Sequence, residues 1–390
     1  MGTVVLRADT VDAMTRTAAP LTADAIVALP KVVLHDHLDG GLRPATIIEL
    51  AAQAGHELPT QDPQELADWF VAAASSGSLE RYLETFDHTI AVMQTAGNLR
   101  RVARESVVDL ASDGVVYAEQ RYAPEQHLRD GLSLQDVVDA VQQGLEEGVA
   151  EAAQAGRTIR VGQLVTAMRH ADRGQEIAEL ALANRNRGVL GFDIAGAEAG
   201  FPPSRHQRAF WILRRASFPV TVHAGEAAGL SSIAEALHVG GALRLGHGAR
   251  ITEDIQLGEQ TPQDPTGTGH ATLGPVAHWI RDQQVPLELC PSSNLQTGVA
   301  RSIGDHPITM LAQLGFAVTI NTDNRLMSGT SMSREMQLLV DDAGWTLDEL
   351  RDATVTAAWN GFIHHDERQS LVENVILPGF TDTTNGRHRA

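Results

Sequence analysis

The feature that most constrains the fold is a regular alternation of short apolar runs with longer segments of helical periodicity. Eight such runs recur along the 390 residues, each bounded by turn-forming residues. The predicted strands are Val32–His37, Val115–Tyr122, Ile159–Thr166, Val189–Ala195, Pro219–Ala224, Leu243–His247, Pro286–Cys290 and Ala317–Thr322. Strands that alternate with helices become parallel neighbours joined by right-handed crossovers, so the pattern predicts an α/β protein.

Eight strand–helix units predict a closed (β/α)8 TIM barrel, with a doubly wound open sheet as the rival architecture. The predicted helices are Leu79–Gln94, Leu99–Ser112, Leu134–Ala155, Gln175–Arg185, Ile233–Leu237, Gly274–Asp282 and Pro307–Leu314. The interval between the first two strands is the longest, so we expect extra helices there that cover the C-terminal mouth of the barrel.

The chain shows no internal repeat and no linker, so we predict a single barrel domain over residues 26–377. The segments 1–25 and 378–390 lack periodicity, which predicts a loosely ordered N-terminal segment and a C-terminal tail. Residues 253–272 are rich in Gly, Thr, Pro and acidic residues, and this composition predicts a surface loop.

Charge and cysteine content restrict the partners and the compartment. The formal net charge is -19, which disfavours nucleic acid and anionic membrane surfaces as partners. No apolar run is long enough to span a bilayer, and the first 25 residues lack the apolar core of a signal peptide. The one cysteine, Cys290, permits no intrachain disulfide and is expected to be a small buried residue. These features predict a cytoplasmic protein.

Lysine content excludes further classes. Lys31 is the only lysine, and no Gly-Lys pair exists, so a Walker P-loop is absent. Schiff-base and pyridoxal enzymes need an active-site lysine, and Lys31 opens a predicted strand rather than ending one.

Polar residues that suit metal chemistry end several predicted strands. His35 and His37 end the first strand and, at i and i+2, point to the same side. His223 ends the fifth strand, His247 the sixth and Asp323 the eighth. The active sites of (β/α)8 barrels form at the carboxyl ends of the strands. A lone histidine at a strand end is usually a satisfied polar residue. Such residues at the ends of four strands are unlikely to be there by chance, which favours a metal site.

Imidazoles and a carboxylate suit a borderline-soft divalent ion such as Zn²⁺. Such an ion lowers the pKa of a water, and a carboxylate can then accept its proton. A second carboxylic acid, kept protonated, can donate to the substrate, and Glu226 lies three residues after His223.

Several motifs resemble, in order, those of the adenosine deaminase family of the metal-dependent amidohydrolase superfamily. The similarity covers roughly residues 28 to 345, and the ordered set is far more specific than any one motif. The motifs are His35-Asp36-His37-Leu38-Asp39-Gly40, Asp193-Ile194-Ala195-Gly196 with Glu198 and Gly200-Phe201-Pro202, His223-Ala224-Gly225-Glu226, Gly246-His247-Gly248, Cys290-Pro291-Ser292-Ser293-Asn294 and Asn321-Thr322-Asp323.

The resemblance implies a metal site and a catalytic set. His35, His37, His223 and Asp323 would bind one Zn²⁺ per chain. His247 would orient the attacking water and, with Asp323, help to take its proton. Two-metal relatives bridge their ions with a carboxylated lysine on the fourth strand, and the absence of a lysine there favours one ion.

The resemblance also implies contacts with a purine nucleoside. Glu226 would be protonated and would donate to purine N1 as C6 is attacked. The N–H of Gly196 would meet N3, Asp39 would accept from a ribose hydroxyl, and His37 would also contact the substrate. Ser293 would support the metal site from behind.

One position departs from the family pattern. The family commonly has two consecutive aspartates at the end of the eighth strand, whereas this chain has Asp323-Asn324. The second aspartate meets purine N7 and must carry a proton to do so. An asparagine amide donates to N7 without a raised pKa, so the change is compatible with purine binding.

The expected reaction is zinc-dependent hydrolysis of adenosine and 2'-deoxyadenosine to the inosine products and ammonia. The alternative substrates are 6-amino-6-deoxyfutalosine and free adenine. The carboxylate of 6-amino-6-deoxyfutalosine would need an arginine partner, such as Arg43 or Arg325. A different class is a metal-binding barrel without turnover. The presence of the ligands, Glu226 and His247 argues against that class.

Overall fold

The main feature of the computed structural model is a ring of eight parallel strands. The structure describes residues 21–261, 264 and 266–386, with side chains as far as residue 381. The strands are β1 (Lys31–His37), β2 (Val115–Tyr122), β3 (Arg160–Met168), β4 (Val189–Ala195), β5 (Thr221–Ala224), β6 (Arg244–His247), β7 (Leu287–Leu289) and β8 (Val318–Ile320). All eight predicted strands are confirmed, and their bounds differ from the prediction by at most two residues.

The strands close into a barrel. They form two four-stranded sheets, in the orders β1-β2-β3-β4 and β8-β7-β6-β5, and every pair within them is parallel. Phe192 of β4 bridges Val220 just before β5, and Asp36 of β1 bridges Asp323 just after β8. These two bridges join the sheets at both edges, which confirms the predicted (β/α)8 barrel over the open sheet.

The seam between β1 and β8 carries side-chain as well as backbone hydrogen bonds. Asp323 N–H donates to the carbonyl of His35 at 2.9 Å, and His37 N–H donates to the carbonyl of Asp323 at 2.7 Å. Before β1 reaches that point, Oδ1 of the buried Asn321 accepts the N–H groups of Leu34 and His35 at 2.9 and 3.0 Å. Asn321 therefore replaces the ladder bonds that a backbone carbonyl would supply.

Helices surround the barrel and lie between successive strands. They are α1 (Ala23–Ala28), α2 (Pro44–Ala54), α3 (Pro63–Ala74), α4 (Leu79–Glu84), α5 (Phe86–Val92), α6 (Ala96–Ser112), α7 (Leu134–Gln154), α8 (Gly174–Ala183), α9 (Gln207–Arg215), α10 (Leu230–Glu235), α11 (Pro275–Asp282), α12 (Pro291–Gln296), α13 (Ile308–Gln313), α14 (Arg325–Ser328), α15 (Met332–Ala343), α16 (Leu347–Trp359), α17 (His365–Leu371) and α18 (Leu377–Gly386). None of the helices in the described ranges is long and apolar enough to cross a membrane.

The long interval between β1 and β2 holds five helices, α2 to α6, as the sequence predicts. Residues of α4 and α5 line the cavity at the C-terminal mouth of the barrel. The single predicted helix Leu79–Gln94 is instead two helices that meet at Thr85. The Thr85 hydroxyl donates to the Tyr82 carbonyl at 2.7 Å, and this local bond competes with continuation of the helix.

Two expectations about irregular segments are corrected by the structure. A short antiparallel ribbon between Ile255–Gln256 and Thr272–Leu273 pairs the two ends of the predicted loop 253–272. The helix Leu377–Gly386 occupies the start of the segment expected to be an aperiodic tail, and Phe380 is buried there. Burial of this side chain supplies an anchor that periodicity did not reveal.

The N-terminal boundary at residue 25 falls inside α1, whose first turn is capped by the Thr22 side chain. The rest of the predicted loose segment, residues 1–20, and the last four residues of the predicted tail lie outside the described residues. The division into segment, domain and tail stays a prediction.

The barrel interior contains a buried network of ion pairs. Arg121 of β2 donates to Asp193 of β4 at 3.1 Å and to Glu288 of β7 at 2.8 Å. Arg244 of β6 donates to Glu288 at 2.6 Å and also pairs with Glu119 of β2. Buried charges are tolerated when each is paired and hydrogen-bonded, so these residues tie four strands together below the mouth.

The seam bonds give a stability prediction. Asn321→Ala should lower the free energy of unfolding by about 2–5 kcal/mol, because it leaves two buried N–H groups without an acceptor. Chemical denaturation followed by circular dichroism measures this change. The matched control is Asn374→Ala on the exposed surface, which should change stability by less than about 0.5 kcal/mol. Equal unfolding curves for the two variants would contradict the role given to Asn321.

Candidate active site

Four residues from four strand ends converge at the mouth of the barrel. His35, His223, His247 and Asp323 each offer one ligand atom, and these atoms lie within 4.8 Å of one another. All four residues are buried. His35 lies on β1, His223 on β5 and His247 on β6, whereas Asp323 follows β8. The parallel barrel therefore brings together residues that are far apart in the sequence.

His37 reaches the same cluster from β1. Its Nε2 lies 3.2 Å from His223 Nε2 and 3.3 Å from Asp323 Oδ1. His35 Nε2 lies 3.3 Å from the same Asp323 oxygen. The structure thus gathers all five strand-end residues that the sequence analysis singled out.

Carboxylates behind the cluster set the proton positions of two histidines. His35 Nδ1 lies 3.1 Å from Glu288 Oε2, and His223 Nδ1 lies 2.9 Å from Asp193 Oδ2. A carboxylate can only accept, so each Nδ1 carries the proton and each Nε2 turns a lone pair into the cluster. Burial lowers the pKa of His223 well below its usual range, which keeps the ring neutral.

Asp323 is held by its neighbours and by its backbone. Ser293 Oγ donates to its Oδ2 at 2.5 Å, which leaves Oδ1 facing the histidines. Burial raises the pKa of Asp323, but its close contacts with His35 and His37 outweigh this effect and hold the pKa well below its usual range. Asp323 has φ of 55°, a left-handed conformation that is rare for a non-glycine residue.

His247 faces Glu226 across the cavity. Its Nε2 lies 3.5 Å from Glu226 Oε2, and its Nδ1 lies 3.1 Å from the amide nitrogen of Asn294. Like Asp323, His247 has a left-handed backbone, with φ of 64°. Strained backbone of this kind concentrates at functional sites.

Glu226 is positioned by a second carboxylate. Glu198 accepts the backbone N–H groups of the turn that carries Glu226, and it also accepts the Ser232 hydroxyl. Burial, then the charges of Asp323 and Glu198, raise the pKa of Glu226 well above its usual range. Its Oε1 is buried without a hydrogen-bond partner among the described residues. The raised pKa favours the protonated, neutral form of Glu226 at the cavity.

The cavity beside the cluster has a volume of about 290 Å³. Leu79, Leu83, Phe86 and Ile90 from α4 and α5 form an apolar wall. The polar or backbone groups that line it include Asp39, Glu226, Asn324, Gly196, Thr166 and Gln126. An apolar slot with a few convergent polar groups is the usual form of a small-molecule site.

The predicted substrate-binding residues all line this cavity. Burial raises the pKa of Asp39 to about 7, and its Oδ1, which lies 3.8 Å from His37 Nδ1, has no hydrogen-bond partner within the described part of the chain. Oδ1 of Asn324 is likewise buried without a partner there. Gly40 makes room for Asn324, because a Cβ at residue 40 would lie 1.9 Å from that oxygen. Gly196 has φ of 101°, which favours glycine at this turn.

The two arginines considered for a carboxylate-bearing substrate lie elsewhere. Arg43 makes a two-pronged contact with Asp109, and its side chain is 42% exposed. Arg325 donates to Asp36 and to Ser106. Neither lines the cavity. Both are structural residues in this fold.

Sequence reasoning assigned no role to Glu288, Glu198 or Asn294. Glu198 and Asn294 lie inside motifs, but their partners are backbone groups and side chains of other motifs. Glu288 had a local signal, since it is a charged residue within the buried strand Leu287–Leu289. A charge at such a position predicts a buried partner, although the partner's identity requires the fold.

The donor set fits a single zinc ion. A tetrahedral site with metal–ligand bonds of about 2.0–2.1 Å has ligand–ligand edges of about 3.3 Å. The distances from His37 to His223 and from Asp323 to His35 and His37 match this edge. In addition, His35 Nε2 is buried without a hydrogen-bond partner in the described ranges, as expected for a ligand atom. Lys31, by contrast, donates to Val27 and Leu29 and takes no part in the cluster.

Comparison with known proteins points to one family. A sequence profile described as "Adenosine deaminase" matches residues 30–378. The adenosine deaminase of Mycobacteroides abscessus is 56% identical over 363 residues, which cover 93% of this chain and 98% of that protein.

Solved structures show the same fold. The adenine deaminase from Arthrobacter aurescens superposes with a TM-score of 0.75 at 24% identity, covering 92% of this chain and 99% of that one. An amidohydrolase from Burkhoderia ambifaria with bound Zn gives a TM-score of 0.78 at 21% identity, covering 96% and 98% of the two chains. At these identities the structures bear on the fold alone.

The cluster gives a metal-binding prediction. His223→Ala removes the imidazole that touches His37 and should lower zinc affinity at least about 10-fold. Competition with a chromophoric chelator measures the affinity, and elemental analysis measures the stoichiometry. His170→Ala is the matched control, since His170 lines the cavity but stands outside the cluster. Zinc affinity equal to that of the unmodified protein in His223→Ala would remove this residue from the ligand set.

Proposed function

The chain belongs to the adenosine deaminase family, and we infer that it hydrolyses adenosine to inosine and ammonia with one zinc ion. The observation that carries this inference is the pairing of a metal-ligating cluster with a buried neutral acid across one cavity. The cluster would hold a zinc ion that activates a water, and Glu226, whose Oε2 lies 3.5 Å from His247 Nε2, would donate a proton. Hydrolytic removal of an amine from a purine ring requires both functions.

We assign the metal to His35, His37, His223 and Asp323, as the sequence predicts. His37 fits because its Nε2 makes two contacts of the length expected for a shared metal. His247 Nδ1 instead contacts Asn294, and its Nε2 faces Glu226. A zinc ion held by these four ligands would supply the Lewis acidity that lowers the pKa of a water towards neutrality.

The protein groups then divide the proton transfers. Asp323 is ionised and takes the proton of the attacking water. Glu226 is neutral and donates to N1 of the purine as the oxygen reaches C6. Protonation of N1 draws electron density out of the ring at C6, so that the water oxygen can add there. Asp323 then passes the proton of the water to the amine, and ammonia leaves as the C6 hydroxyl returns a proton to Glu226. The opposite pKa shifts of two nearby carboxyl groups mark the base and the acid.

Asn324 and Gly196 would hold the other edge of the base. The Asn324 side chain lines the cavity, and its amide can donate to N7 without the proton that an aspartate there must carry. The N–H of Gly196, in a turn that favours glycine, would donate to N3. Leu79, Leu83, Phe86 and Ile90 would supply the apolar wall around the nucleoside.

The cavity favours an uncharged sugar. No Lys or Arg is among the described residues that line it, whereas Asp39 and Asp87 both do. A substrate with a 5' carboxylate or phosphate would meet acidic groups without a cation, which disfavours 6-amino-6-deoxyfutalosine. Adenine would leave Asp39 without the hydroxyl that it can bind. Adenosine and 2'-deoxyadenosine are therefore the substrates that the lining fits.

The remaining features agree with an enzyme rather than a metal-binding barrel without turnover. The proposed ligands lie close together, and Glu198 holds the turn that carries Glu226, an arrangement that supports turnover. We place the reaction in the cytoplasm, because the one cysteine, Cys290, permits no intrachain disulfide, which fits a reducing compartment.

A substrate panel tests this function. The zinc-loaded protein should convert adenosine and 2'-deoxyadenosine with kcat/KM at least about 10²-fold above that for adenine or 6-amino-6-deoxyfutalosine. Each conversion is followed by the ultraviolet change from the 6-aminopurine to the 6-oxopurine. A higher kcat/KM for either of the last two compounds would overturn the assignment of the natural substrate. Turnover of none of them would overturn the proposed function.

A further inference from the structure

A chain of three side chains runs away from the cavity behind His247. His247 Nδ1 lies 3.1 Å from Asn294 Nδ2, and Asn294 Oδ1 lies 3.1 Å from His306 Nε2. His306 Nδ1 in turn accepts the backbone N–H of Ile308 at 3.2 Å. His247, Asn294 and His306 are all buried. Neither Asn294 nor His306 belongs to the metal cluster or lines the cavity.

The direction of each hydrogen bond in this chain follows from its fixed end. A backbone N–H can only donate, so Nδ1 of His306 is an acceptor and carries no proton. Burial lowers the pKa of His306 to about 3, so the ring is neutral and its one proton sits on Nε2. That proton is donated to Asn294 Oδ1.

A second fixed donor gives Asn294 the same orientation. The Cys290 N–H donates to Asn294 Oδ1 at 3.4 Å, which independently identifies this atom as the oxygen of the amide. The other end of the amide is therefore the NH2 group, and it donates to His247 Nδ1. Because Nδ1 of His247 accepts, the proton of the neutral ring must lie on Nε2, the atom that faces Glu226.

We propose that His306 acts through Asn294 as a positioning residue that fixes His247 in the Nε2–H tautomer. His247 then holds the attacking water by donating a hydrogen bond to its oxygen, and Asp323 alone accepts the proton of that water. This assignment deepens the proposed function and rests on it. It also separates two roles, orientation and proton abstraction, that the family resemblance leaves shared between His247 and Asp323.

The geometry around His247 supports a fixed donor. Its burial leaves the ring little room to turn over. A flipped ring would also place a carbon against the Asn294 amide, which would leave a buried NH2 group without an acceptor. Loss of such a bond costs about 1–3 kcal/mol, enough to maintain one orientation. Glu226, being neutral, does not draw a second proton onto the ring.

The tautomer can be observed directly in the zinc-loaded protein. Long-range ¹H–¹⁵N spectra of the protein labelled at histidine distinguish Nε2–H, Nδ1–H and imidazolium rings by their nitrogen shifts. The His247 signals are identified by their absence in His247→Gln. We expect the Nε2–H pattern for His247 in the unmodified protein. An Nδ1–H or imidazolium pattern would overturn the proposal whether or not adenosine is a substrate.

Variants of the relay then test whether His306 exerts this control. His306→Leu removes the donor to Asn294 and should lower kcat about 10-fold with KM and zinc content unchanged. His306→Gln keeps an N–H donor at a similar reach and should restore most of the loss. The matched control is His127→Leu, a buried histidine that lies outside the cavity and outside the metal cluster.

Asn294→Asp reverses the polarity of the relay. A carboxylate at this position can only accept, so His247 should change to the Nδ1–H pattern and turn a lone pair towards the cavity. An unchanged His247 spectrum in both Asn294→Asp and His306→Leu would show that the relay does not set the tautomer. If the unmodified protein shows the Nε2–H pattern but does not turn over adenosine, the result would count against the proposed function alone.

Discussion

The site depends on one buried carboxylate inside the barrel. Glu288 on β7 accepts His35 Nδ1–H and Arg121 through one oxygen, and Arg244 and Thr221 through the other. Burial raises the pKa of a carboxyl group, but the charges of Arg121 and Arg244 outweigh that effect and hold the pKa of Glu288 well below its usual range. A charge buried this deeply without partners would cost several kcal/mol, so the four donors and the carboxylate require one another.

This network links the stability of the barrel to the chemistry of the site at the barrel mouth. Its lower part pairs β2, β6 and β7, and its upper end fixes the proton of His35 so that Nε2 faces the metal cluster. Asp193, which pairs with Arg121, does the same for His223. Above these supports, His247 and Asp323 adopt left-handed backbone conformations that cost of order 1–3 kcal/mol each. A rigid barrel tolerates this strain at its strand ends, where side chains must turn inwards.

Local pattern was sufficient to predict the strands and the residues at their ends. Runs such as Val115–Tyr122 and Val189–Ala195 have the same bounds in the structure, and nearly all of their residues are buried, as in a parallel sheet covered on both faces. The histidines and Asp323 could be found because each directly follows or ends such a run. The break of the α4–α5 segment at Thr85 and the helix Leu377–Gly386 could not, since a single hydroxyl bond and one buried Phe380 decide them.

The supporting residues could not be predicted because their partners are distant in sequence. Glu198 gains its role from a turn after the next strand, and Asn294 from His247 and His306. In the sequence, Arg121 and Arg244 look like ordinary strand residues, and only the closed barrel shows their buried partners. Motif order could indicate that these positions belong to one site, whereas their donor and acceptor relationships required the coordinates.

The central claim is that a neutral Glu226 protonates the purine and that the neighbouring residues bind zinc without help from Glu226. The most direct measurement is kcat for adenosine, together with zinc content, in Glu226→Gln. The amide keeps the size of the side chain but cannot give up a proton, so kcat should fall about 10²–10⁴-fold while one zinc per chain is retained. A variant that keeps zinc and turns over adenosine at nearly the unmodified rate would contradict the account.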